Sequence, residues 1–211
     1  MDLSEINFAV LVASLIVAST PLVLAALGEL IVEKAGVLNL GVEGMMIIGA
    51  VAGFIVGVET GSAYIGMIAA AVAGALLSLL FAFIILIMQA NQVASGLALT
   101  IFGLGIAALM GHPYTGIKSP QISTISIPIL SEIPILGTMF FQHDLIVYLS
   151  LISVLTIWYF LTRMRAGLIL RSVGEDHDVA HSLGYRVITI RFLAIVFGGA
   201  MAGVGGGYLS L

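Results

Sequence analysis

The chain is organised as long apolar runs separated by short polar breaks. A helix needs about 20 mainly apolar residues to cross a hydrocarbon core. Residues 6–32 supply one such run, with Pro21 a kink that neighbouring helices can absorb. Residues 36–58 supply a second. From Thr60 to Ile117 there is no charged residue, a stretch too long for one helix. The polar group Gln89, Asn91, Gln92 and Ser95 divides it into spans near 62–88 and 93–111. Pro113, Pro120, Pro128 and Pro134 then forbid a continuous helix through the connection 112–143. Two more runs, 144–162 and 192–211, flank a polar loop at 163–191. The expected fold is all-α: a polytopic membrane helix bundle with about six spans in one transmembrane domain, 1–211.

Composition agrees with that class. The 211 residues are 61% hydrophobic and 9% charged, with a mean hydropathy of +1.22. Soluble domains carry about 25% charged residues. Cysteine is absent, which excludes disulfides and thiolate metal sites. The first run is preceded only by Asp2 and Glu5, not by the basic region of a cleaved signal peptide, so it is expected to be retained. Arg163, Arg165, Arg171, Arg186 and Arg191 all fall in the loop after the fifth span. The positive-inside rule makes that loop cytoplasmic. Counting back puts the loop 112–143 outside, the turn Gln89–Gln92 inside and the N-terminus outside. The last run stops at Leu211 without a flanking anchor, and the natural chain is expected to continue beyond it.

Within the second run, Asn39 and Glu43 stand four apart among Gly36, Gly41 and Gly44. On a helix they would share one face. Polar groups inside spans are costly and usually face a cavity or a bundle interior. The face either lines or gates a path, or ties neighbouring helices together. Gly49, Gly53 and Gly57 repeat at intervals of four, as do Gly199, Gly203 and Gly207. Small residues at that spacing let helix backbones approach closely. Packing inside one bundle is the expectation.

The loop "RMRAGLILRSVGEDHDVAHSLGYRVITIR" (163–191) contains a short helix pattern bracketed by Gly174 and Gly184. Glu175, Asp176 and Asp178 sit in its first turn, as helix starts prefer. Val179, Ala180 and Leu183 would form one small apolar face. So short a helix is not stable alone in water. It either rests on the membrane surface or docks into a groove of a partner. His177 and His181, four apart with Asp178 nearby, lack a third convergent ligand, and no metal is expected. There is no phosphate-binding G-x-x-x-x-G-K-[ST] loop and no H-E-x-x-H helix. Any ATP chemistry must belong to another chain. In the outer loop, Ile125, Ile127 and Ile129 alternate as in a short extended segment, either a docking surface or a connector.

Four segments carry a resemblance. "AGVLNLGVEGMMIIGA" (35–50) resembles the signature of permease subunits from ABC importers of the simple-sugar and nucleoside type, within the group that includes branched-chain amino acid permeases. "NQVASGLALTIFGLG" (91–105) is similar to a segment of the nucleoside branch, and "GGAMAGVGGGYLSL" (198–211) to the family's following helix. "AGLILRSVGEDHDVAHSLGYRV" (166–187) resembles the loop through which such permeases touch their ATPase, although position 177 is His where the family often carries proline.

The resemblance implies a type II-like importer permease, shorter than usual at its C-terminus, in a bacterial or archaeal plasma membrane. It makes residues 175–183 a coupling helix, with Gly174, Glu175, Asp178, Val179, Ala180, Leu183 and Gly184 as contact candidates. Asn39, Glu43, Asn91, Ser95 and Thr100 become candidates for the path or its gate. The implied partners are ATPase subunits that bind ATP and magnesium, a second permease subunit, an external binding protein and the bilayer. No nucleic acid and no cofactor on this chain are implied, and no catalysis. The expected cargo is a nucleoside, with a pentose or a branched-chain amino acid as alternatives. An ion-driven transporter would call for acidic or basic relays in several spans. Glu43 is the one clear intramembrane carboxylate, Glu29 being expected near the cytoplasmic interface. A purely structural subunit would tolerate Asn39→Ala and Glu43→Gln in transport while losing assembly.

Overall fold

The computed structural model of the protein describes residues 8–126 and 140–211. Among the described residues, six helices are long and apolar enough to cross a membrane. They are α1 (Phe8–Lys34), α2 (Val42–Thr60), α3 (Ala63–Ala82, continued by a π-helical turn to Ile87), α4 (Gln92–Gly111), α5 (Leu145–Arg163) and α8 (Val187–Ser210). Two shorter helices, α6 (Arg165–Glu175) and α7 (His177–Ser182), lie between α5 and α8. The outer connection holds an antiparallel ribbon, β1 (Thr124–Ser126) with β2 (Gln142–Asp144), in which Thr124 faces Asp144. Ile127, Ile129, Pro128 and Pro134 lie outside the described residues, as do Asp2 and Glu5. The fold is thus an all-α membrane bundle. Its outward surface is apolar, with Ile101, Leu109 and Leu155 among the exposed side chains.

Two boundaries differ from the hydrophobic pattern. The second span starts at Val42 rather than near 36, because residues 36–41 leave the helix. Gly36 has φ +79°, a left-handed conformation that a side chain would oppose. The last helix starts at Val187 rather than 192, taking Arg191 into its first turns. That arginine stays near the helix end and donates from Nε to the Ala35 carbonyl at 3.1 Å. By contrast, α1 continues through Pro21.

The helix α8 is the centre of the bundle, packed against α1, α2 and α3. Its glycines make this possible. A Cβ on Gly49 would lie 2.5 Å from the Gly203 Cα, and one on Gly203 would overlap the Ala70 carbonyl oxygen of α3. Gly199 meets Ser78 and Gly74, while Gly53 faces Ala70 and Gly66. Gly207 abuts Ala70, and Gly57 abuts Leu211 and Pro120. Lipid tails are as apolar as leucine, so association rests on close van der Waals packing of this kind. Below the glycine layer, Val32, Met45, Phe81 and Ile195 fill a buried cluster.

Lys34 and the five loop arginines gather at one end of the bundle, where α1 and α5 finish and α8 begins. At the opposite end, Asp144 joins α5 to α8. Its Oδ1 accepts from the amides of Ile146 and Val147, capping α5, and its Oδ2 accepts from the Tyr208 hydroxyl at 2.6 Å. Hydrogen bonds to charged groups are worth about 1.5–3 kcal/mol. Tyr208→Phe is therefore expected to cost about 2 kcal/mol, and Asp144→Ala more, since it also removes the cap. Thermal unfolding of the two variants in detergent measures that order.

Candidate functional site

The basic end holds a helical hairpin. The chain turns back sharply after α5, and a Cβ on Gly167 would overlap the Phe160 carbonyl. Gly167, Leu170 and Val173 are the buried residues of α6, three apart on one face, while Arg165 and Arg171 point away. Arg171 reaches back to the Leu161 carbonyl at 3.4 Å. Gly174 is seated against the end of α1, where any side chain would overlap the Lys34 carbonyl.

Gly174 therefore lies inside α6, not ahead of the short helix, and Glu175 closes α6 rather than opening α7. The start of α7 is set by Asp176, whose Oδ1 accepts from the amides of Asp178 and Val179 at 3.0 Å each. His177 is the first helical residue, the position where proline is also favoured. Histidine in place of proline thus leaves the start of α7 intact, because the cap does the fixing. Gly184, at φ +87°, ends the helix, and the Tyr185 amide turns back to the Ala180 carbonyl.

The expected apolar face of α7 divides. Ala180 is 1% exposed and packs inward, whereas Val179 is 55% and Leu183 69% exposed. Two apolar side chains on a short capped helix therefore point out of the chain. His177 Nε2 lies 3.5 Å from Asp178 Oδ1, both largely exposed. Among the described residues no cluster of three or more metal-ligating side chains forms.

Asn39 and Glu43 do not share a helix face. Asn39 precedes α2 and is buried at 3% exposure, while Glu43 stands exposed in the first turn. The reason is local. Asn39 Oδ1 accepts from the Gly41 amide at 3.0 Å, an Asx turn that breaks the helix, and its Nδ2 approaches the Met45 sulfur. Its own amide donates to Glu29 Oε1 at 3.2 Å, so Glu29 of α1 reaches into the site instead.

The second motif braces the same segment. Asn91 caps α4 by accepting from the Ala94 amide, and Gln92 Oε1 accepts from the Leu38 amide at 2.8 Å. Thr100 donates to the Leu40 and Gly96 carbonyls. Close glycine contacts bring α2 and α4 together, a Cβ on Gly44 lying 2.8 Å from the Thr100 Cα. Ser95 is half-buried. Asn39, Asn91 and Thr100 are thus engaged by the chain's own backbone. The pattern of apolar and polar positions did not mark Glu29, Gln92 or Arg191 for these contacts, which act across helices. Asp176 was marked among the acidic residues of a helix start, and it is the one that caps α7.

Comparison with known proteins matches these features to a family. Residues 11–211 match the model of the branched-chain amino acid transport system permease component. The chain belongs to that family of membrane transport components. The ABC transporter permease protein TsgC13 of Haloferax volcanii, provisionally named for glucose, is 40% identical over 198 residues, covering 92% of this chain and 60% of its own. The guanosine ABC transporter permease protein NupQ of Bacillus subtilis (strain 168) is 35% identical, covering 98% and 68%. The nucleoside ABC transporter permease protein NupC of Lactococcus lactis subsp. cremoris is 33% identical, covering 93% and 66%. The chain therefore spans about two thirds of the length of these relatives. No solved structure matches it significantly.

Proposed function

We propose that the chain forms the permease part of an ATP-driven importer of nucleosides, in the plasma membrane of a bacterium or archaeon. It performs no chemical step. ATP and magnesium are held by partner ATPase subunits, an external binding protein delivers the cargo, and a second permease subunit completes the path. The observation that carries this reading is α7: a capped helix presenting Val179 and Leu183 outward, with no membrane-spanning length of its own. Its position beside Lys34 and the five arginines supports a cytoplasmic location, by the positive-inside rule, and an external N-terminus.

Asp178 and the backbone of Glu175 and Gly184 frame the surface offered to the ATPase. Among the path candidates, Glu43 and Ser95 are free to line it. Among the described residues neither side chain has a hydrogen-bond partner, whereas Asn39, Asn91 and Thr100 fix the helices around it.

Names of relatives favour two cargo classes. Guanosine and other nucleosides are the reading adopted, on NupQ and NupC together with the segment 91–105. Glucose is the second, on TsgC13. The complete importer in liposomes, loaded with ATP, is expected to take up radiolabelled guanosine and to be inhibited by other nucleosides but not by glucose. Uptake of glucose that guanosine does not inhibit would reverse the choice.

A further inference from the structure

The non-helical segment 35–41 touches α1, α4, α6 and α8, and several of its backbone groups bond to groups outside it. Backbone groups that leave a helix near the membrane need replacement partners. The Gly36 and Val37 amides still bond back to α1 through the Glu33 and Val32 carbonyls. Beyond them, Leu38 donates to Gln92 of α4 and Asn39 donates to Glu29 of α1. The Leu40 carbonyl accepts from Thr100, also on α4. The Ala35 carbonyl accepts from Arg191 at the start of α8. Gly174 of α6 sits directly on Lys34 and Gly36.

The two halves of the segment thus have different anchors. Its start, Ala35 and Gly36 with the preceding Lys34 of α1, is held by α6 and α8, the helices on either side of α7. Its second half, Leu38 to Leu40, is held by Glu29 and by α4, and leads into α2 at Val42, one residue before Glu43. One feature sets Glu29 apart: its Oε2 is buried without a hydrogen-bond partner, while Oε1 holds Asn39. An unsatisfied buried acceptor is costly, and such a group marks a place where an alternative arrangement gains a bond.

We propose that segment 35–41 is the relay between the α6–α7 hairpin and the α2–α4 pair, with Glu29, Gln92 and Arg191 as its positioning residues. The proposal rests on the importer reading above and names the route by which that importer is coupled. Displacement of α6 and the start of α8 shifts residues 34–36, and the clamps at Leu38, Asn39 and Leu40 carry the shift into α2 and α4. A loose clamp lets α7 move without the path responding. Cargo movement then falls relative to ATP hydrolysis.

The test uses the complete importer in liposomes, with guanosine uptake and ATP hydrolysis measured on the same preparation. Glu29→Ala and Gln92→Ala are expected to leave hydrolysis near its normal rate and to lower guanosine moved per ATP roughly tenfold, the scale of losing one hydrogen bond. Glu29→Gln, which keeps the acceptor for Asn39, is expected to restore most of that ratio. Gln92 lies at the edge of the site, so its variant keeps the test informative if Glu29→Ala assembles poorly. Variants that lose assembled complex but keep a normal ratio in what remains would overturn the relay, since a merely structural brace behaves that way. An unmodified complex with no ATP-driven uptake of guanosine or glucose would instead remove the importer reading itself, before any variant is compared.

Discussion

Gly203→Val is expected to prevent the bundle from assembling. A side chain at 203 has no room: its Cβ would overlap the Ala70 carbonyl of α3 and lie 3.1 Å from the Gly74 Cα. Ordinary overpacking of a core costs about 1–3 kcal/mol, because flexible side chains yield. Here the obstacles are backbone atoms of α3, a helix whose own Gly66 and Gly74 stand in close contact with α2 and α8. The expected penalty is therefore above that range, enough to exhaust much of a typical stability of roughly 5–15 kcal/mol. Gly105→Val is the matched control. It introduces the same β-branched side chain into a transmembrane helix, but a Cβ there meets nothing within 4 Å. The monodisperse fraction in detergent is expected to vanish for the first variant and to persist for the second. Equal behaviour would mean that α3 and α8 do not meet as described.

The second large effect is expected at Leu183. Its side chain is 69% exposed and makes no contribution to the bundle core, so Leu183→Ser is expected to fold normally. Burying a leucine fully against a partner is worth roughly 1.5–3 kcal/mol. Losing that contact corresponds to about ten- to a hundredfold weaker docking of the ATPase. Copurification of the ATPase subunit and ATP-driven uptake should fall together, with the unfolding temperature of the permease unchanged. Ala180→Ser is the contrasting change. Ala180 is packed inward, so it should disturb the hairpin itself rather than its outer surface. A normal docking affinity for Leu183→Ser would separate α7 from the ATPase.

The fold class was legible because bilayer-spanning helices announce themselves by length and apolarity, two quantities that need no tertiary context. The basic residues marked one end of the bundle for the same reason. The break before α2 was less legible. Residues 36–41 are apolar enough to extend a span, and only Gly36 and the Asx turn at Asn39 show that the helix stops there. Spacing suggested that Asn39 and Glu43 act together, yet the helical period applies only where there is a helix. The glycine rows signalled close approach, but which helices would meet depended on their arrangement in space. Glu29 could be placed near the interface from its position, whereas its bond to Asn39 could not, since that contact joins two segments across a turn.

The claim that organises all of this is that α7 is the element that engages a partner ATPase. The absence of cysteine permits a direct measurement. A single cysteine replacing Ser182, an exposed position on α7, would be cross-linked to the ATPase subunit in the complete complex, with a lipid-facing Leu155→Cys as control. The expected result is a specific cross-link at 182 whose yield changes when ATP is added, and none at 155. An intact complex with no cross-link from 182, or from cysteines at 178 and 181, would contradict the assignment of α7 and the importer mechanism built on it.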